Sequence, residues 1–135
     1  MKLPLSVLDL SPVGAKRLDK PYAMCAVTVI CGESDEEAQR LAAPVRIAIV
    51  NSRTGRRAPI PTVEEALATK LDPSEQAIAD DFLVGAVIGG PATVRDRLVD
   101  LARDIDADEL MISSLVPSTA ARVAALERIA TMLAS

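Results

Sequence analysis

The sequence predicts an α/β fold with a parallel sheet, and the stretch from Val84 to Ser135 carries most of that reading. It runs VGAVIGG, PATVRDRLVDLARDID, ADELMISSLV and PSTAARVAALERIATMLAS, so an apolar run, a helix, a second apolar run and a second helix follow in close order. In the first helix Val94, Leu98, Leu101 and Ile105 recur at spacings of four, three and four, which lines them along one face. Gly90 and Pro91 suit its start, because a proline at the first helical position has no amide hydrogen to lose. Leu110 to Leu115 is short and apolar at its centre, as strands buried on both faces are. Val123, Leu126, Ala130 and Leu133 give the last helix its predicted core stripe.

Composition narrows the class. A chain of 135 residues fits one domain, residues 1–135, long enough for a hydrophobic core. Half of it is hydrophobic and a quarter charged, which excludes global disorder. Tyr22 and Phe82 are the only aromatics, so Val, Leu, Ile and Ala must fill the core and stacking platforms for bases are scarce. The net charge of -4 and pI near 4.8 argue against a nucleic-acid partner. Arg53 to Arg57 reads as a solvated basic loop.

Cys25 and Cys31 lie six apart on one predicted strand, about 20 Å at roughly 3.3 Å per residue, beyond disulfide reach. They read as two thiols in a reducing compartment. No apolar run approaches the ~20 residues that span a bilayer, and Pro4 and Asp9 interrupt the opening segment as a signal peptide. The expected location is cytoplasmic, with no membrane partner.

In chain order, Leu3 to Leu10 reads as a short strand ended by the turn residues Ser11 to Gly14. Ala23 to Cys31, rich in β-branched residues, is the strongest strand. Ser34 with Glu37 is a capping-box pattern that opens a helix from Asp35 to about Ile49, with Pro44 interrupting its periodicity. Thr62 with Glu65 opens a short helix to about Lys70, and Asp72, Pro73 and Glu75 open another to about Phe82. Val84 to Ile88 has the composition of a short strand or of a connection.

Three stretches, LPLSVLDLSPVG, LDKPYAMCAVTVICGESDEEAQRLA and IGGPATVRDRLVDLARDIDADELMISS with Arg122 beyond it, resemble the luciferase-like flavin-dependent monooxygenases. The resemblance implies a (β/α)8 barrel, reduced flavin mononucleotide or a deazaflavin as cofactor, and in many members molecular oxygen as oxidant. It makes the Leu3 segment similar to the first barrel strand, the Ala23 strand to the seventh and the ADELMIS strand to the eighth. A closed barrel takes about 250 residues, with ~200 a lower bound, so 135 residues imply a partial (β/α)8 barrel. The expected remainder is about three parallel strands with covering helices, joined near residues 14–16. The implied strand order is Ala23, Leu110, Leu3, with the Leu110 strand central.

No histidine is present, which removes the commonest general acid or base and the zinc and nucleophilic-triad arrangements that need one. No catalytic residue and no metal ligand set is assigned. Asp9 and Ser11, Gly89 and Gly90, and Ser113 and Ser114 are the residues expected to face the barrel mouth. Of these, Ser11, Gly89 and Gly90 are the cofactor-binding candidates. The Gly89-Gly90-Pro91 turn at a helix N-terminus can receive a phosphate, and it reads equally as a tight strand-to-helix turn. Arg122 matches a family position and also suits a solvated helix face.

The resemblance therefore implies a flavin-dependent oxidoreductase, with flavin mononucleotide or a related flavin as cofactor; the missing barrel strands imply that the isolated chain is inactive and binds flavin weakly or not at all. The alternative is a non-catalytic remnant or interaction subunit. A third reading is a small nucleotide-binding α/β domain built on the Gly-Gly-Pro turn. Open sheet edges and an uncovered apolar face point to a homo-oligomer.

Overall fold

The computed structural model describes residues 21–134. The Leu3 segment, Asp9, Ser11 and the join near residues 14–16 lie outside the described residues. Eight elements follow in order: β1 (Met24–Cys31), α1 (Asp35–Arg53), α2 (Val63–Ala68), α3 (Pro73–Leu83), β2 (Val87–Gly89), α4 (Pro91–Asp104), β3 (Glu109–Ser113) and α5 (Thr119–Leu133). The three strands form one parallel sheet in the order β2-β1-β3.

The lower half of β1 pairs with β3, Met24 opposite Glu109 through Thr28 opposite Ser113. Its upper half pairs with β2, Val29 opposite Val87 through Cys31 opposite Gly89. The expected neighbours, the Ala23 and Leu110 strands, pair in parallel as β1 and β3. The Leu3 strand expected beyond β3 lies outside the described residues, and among the described strands β1 is central because Val87–Gly89 is a strand on its other edge and not a connection. The reason is apolar matching. Val87 and Ile88 continue the two faces of Val29 and Ile30, and pairing satisfies backbone groups that would otherwise be buried without partners.

The even and odd residues of β1 point to different cores. Val27, Val29 and Cys31 join Val87, Val94 and Leu98 of α4, and Ala125 and Ile129 of α5. Ile30 joins Ala42, Val45 and Ile49 of α1, Leu83 of α3, and Val116. This double covering holds only at the upper half. Below it, Met24, Ala26 and Thr28 with Glu109, Met111 and Ser113 share an open face, on which Met24 is 45 % and Met111 53 % exposed.

Local signals place the helices. Thr62 with Glu65 and Asp72 with Glu75 form complete capping boxes. Ser34 accepts from the Glu37 amide at 3.1 Å, while the Glu37 carboxylate accepts from Glu33 N and not from the cap residue itself. α1 runs straight through the predicted interruption at Pro44. A proline there forfeits one helical hydrogen bond, a cost of about 3 kcal/mol, and burial of Pro44, Val45, Ile49 and Val50 offsets it. Gly55, at φ 73, ends α1: Arg56 N bonds Asn51 O at 2.8 Å and Gly55 N bonds Ser52 O at 3.4 Å. α4 ends the same way with Asp106 at φ 51, Ala107 N bonding Ala102 O at 3.2 Å.

α5 departs from its predicted orientation. Ala125 and Ile129 are its buried residues, while Val123, Leu126, Ala130 and Leu133, the predicted core stripe, face outward.

Leu98→Ala is expected to destabilise the fold by about 2–5 kcal/mol, because the site is enclosed and collapses poorly; denaturant unfolding checks it. Asp106→Gly should act in the opposite direction, by about 0.5 kcal/mol, since glycine occupies positive φ without the side-chain penalty. The same unfolding curves would show it as a higher midpoint with an unchanged slope.

Candidate functional site

The candidate site lies at the C-terminal ends of the strands. There β1 and β2 end side by side, with Gly32 N donating to Gly89 O at 3.1 Å. A Cβ on Gly32 would lie 2.6 Å from Ala38 N, so only glycine lets β1 turn into α1 at this approach. Ser34 and Asp35 then stand beside the Gly89-Gly90-Pro91 turn.

Asp35 ties the two helix starts together. Its Oδ1 accepts from Gly90 N at 2.6 Å and its Oδ2 from the Thr93 hydroxyl at 3.0 Å. Gly90 is the cap residue of α4 and has no side chain to cap the first helical amides; the carboxylate from the first turn of α1 accepts from the cap residue's own amide instead. The Gly90 amide, followed by the Thr93 hydroxyl, holds the Asp35 carboxyl below the usual carboxylate range. A Cβ on Gly89 would lie 2.7 Å from Thr93 Cγ2 and 2.9 Å from Asp35 Oδ1, and one on Gly90 would lie 3.1 Å from the Ser34 backbone. At both glycines a side chain would crowd its neighbours.

The other mouth candidates fall on the β3 side. Ser113 Oγ is 3.4 Å from Thr28 Oγ1, and Ser114 Oγ is buried without a hydrogen-bond partner among the described residues. Arg122 turns back on its own loop, its Nε donating to Val116 O at 3.1 Å and its Nη2 to Pro117 O at 3.5 Å. Glu33 reaches α5 through Arg128 at 3.1 Å. Cys31 is buried and burial pushes its thiol up, so it stays protonated; Cys25 is half-buried, and both are free thiols.

This arrangement disfavours a phosphate at the start of α4. The Gly90 amide already serves Asp35, and an incoming anion would meet a carboxylate of the same sign. A concavity of about 560 Å³ lies at the far end of α1 beside Asn51, Arg56 and Arg57 and shares no residue with this edge. Among the described residues no cluster of His, Cys, Asp and Glu could hold a metal ion, and no helix is long and apolar enough to cross a membrane. Sequence reasoning singled out the Gly-Gly-Pro turn but missed Asp35, whose only local signal is its place in the acidic first turn of α1.

Asp35, Asp72 and Glu75 are all held low: Asp35 by the Gly90 amide, Asp72 by the Glu75 amide and Glu75 by the Arg56 guanidinium. The unfolded chain therefore binds more protons than the folded one in acid. Their stabilisation is complete above the ordinary carboxylate pKa of about 4 and is lost as pH falls through the lower folded values. Thermal melts across that acid range should show a falling Tm. Asp35→Asn should lower Tm at neutral pH and flatten the acid slope; an unchanged slope would remove Asp35 from the account.

A Luciferase-like monooxygenase of Escherichia coli (strain K12) is 32 % identical over 111 residues, 82 % of this chain and 33 % of the relative. The Uncharacterized protein YvbT of Bacillus subtilis (strain 168) is 32 % identical over 113 residues, 84 % of this chain and 34 % of that protein. Among solved structures, apo-MsnO8 superposes with a TM-score of 0.71 at 26 % identity, over 84 % of this chain and 35 % of its own. No protein-family model matches the chain. The chain spans about a third of the length of the relatives it matches. Through that third, and over four-fifths of its own length, it is a homologue of the luciferase-like monooxygenases.

Proposed function

We propose that this chain is a catalytically silent portion of a luciferase-like monooxygenase fold, which neither holds flavin nor turns over substrate by itself. The observation that carries this reading is the Asp35 carboxylate on the Gly90 amide. It sets a negative charge of the chain's own beside the start of α4. A bound flavin would supply the oxygen chemistry, and the protein's share would be orientation and exclusion of water. For that share this chain offers three strand ends and their short connections. Tyr22 and Phe82 stand alone as aromatic surface for the isoalloxazine ring, and Tyr22 is committed at the opposite end of the sheet, where its hydroxyl donates to Glu109 at 2.7 Å. Gly89 and Gly90 serve close packing and a helix start. Ser11, the third cofactor candidate, lies outside the described residues.

Titrating oxidised and reduced flavin mononucleotide into the purified chain, followed by flavin fluorescence, tests the proposal. The expected result is no saturable change through the micromolar range. Micromolar or tighter binding that is lost in Gly90→Leu, with the fold intact by circular dichroism, would overturn it.

A further inference from the structure

We infer that α5 is a self-association surface that joins two copies of this chain through a parallel helix pair. Val123, Leu126, Ala130 and Leu133 recur at spacings of three, four and three, the a and d positions of two successive heptads. The fold does not use them: Val123 is 50 %, Leu126 39 % and Leu133 49 % exposed. The helix docks on β1 through a different face, Ala125 and Ile129, roughly a third of a turn away at 3.6 residues per turn. α5 is thus apolar on two faces, and the outer one is a continuous seam.

Charge selects the occupant and the direction. With Val123 at a and Leu126 at d, Arg122 falls at g and Glu127 at e, both exposed and on opposite flanks of the stripe. In a parallel pair a g residue faces the e residue five positions further along the partner helix. Arg122 therefore meets Glu127 of a second copy, and by symmetry Glu127 meets the other Arg122. An antiparallel pair would set Leu126 opposite Ala130 but leave both charges without complement. The carbonyls of Val116 and Pro117 already hold the Arg122 guanidinium at the edge of the seam.

Light scattering of the full chain over a concentration series tests this, with circular dichroism as the check on folding. A concentration-dependent dimer is expected. Leu126→Glu, at an exposed position, should leave the circular dichroism spectrum unchanged and give a monomer. Glu127→Arg should weaken the dimer several-fold, and mixing it with an Arg122→Glu chain should restore association as a heterodimer. A wild-type chain that stays monomeric, a dimer that survives Leu126→Glu, or one indifferent to the Glu127 reversal would each overturn the proposal. Should Arg122→Glu lose its fold along with its carbonyl bonds, the Leu126 and Glu127 variants decide alone.

Discussion

Burial of the upper half of β1 is the constraint on which the remaining structure depends. Val29, Ile30 and Cys31 are fully enclosed, and because successive side chains on a strand point oppositely, enclosing all three requires layers on both faces. One face receives α4 and α5, the other α1 and α3. The strand is the shared wall of two apolar clusters that otherwise rest on different helices. Parallel strands are covered in this manner because their crossovers lay helices over the sheet. Where the crossovers end, at the lower half of β1 and at β3, one face stays open.

Among the described residues, ion pairs link helices on one face at partly exposed positions. Arg46 pairs with Asp80 between α1 and α3 at 2.5 Å, and Arg56 with Glu75. Exposed pairs of this kind contribute about 0–1 kcal/mol. Asp35 differs in kind, because it satisfies a helix-start amide that has no other partner. The Gly-Gly-Pro turn gains a close strand-to-helix passage by giving up its own cap, and a neighbouring helix supplies an acceptor for the cap residue's amide. The geometry that makes such a turn attractive to an anion is here completed internally.

That closure bears on what a third of a monooxygenase fold retains. The strand ends that line a barrel mouth survive as backbone geometry, with Gly32, Gly89 and Gly90 each fixed by contacts under about 3.2 Å to a hypothetical Cβ. The groups that would act on a ligand are a different matter. Ser113 and Thr28 contact each other, Arg122 braces its own loop, and Asp35 holds the Gly90 amide. Each polar side chain at this edge is engaged in holding the fold, apart from Ser114.

The sequence by itself determined the local structure. Capping pairs such as Thr62 with Glu65 act within one helical turn, and the β-branched run of β1 biases its own backbone, so the five helices and two longer strands were legible without tertiary information. Three decisions were not. α1 passes through Pro44 because core burial outweighs a lost hydrogen bond. The three residues Val87–Gly89 became a strand only because β1 was there to pair with them. In α5 the apolar residues support two faces of comparable strength, and periodicity cannot choose between them. Packing against β1 and α4 took the face with Ala125 and Ile129 and left the other stripe outside. Asp35 belongs with these: its partners Gly90 and Thr93 lie more than fifty residues along the chain, and only folding brings a carboxylate of one helix start to the amide of another.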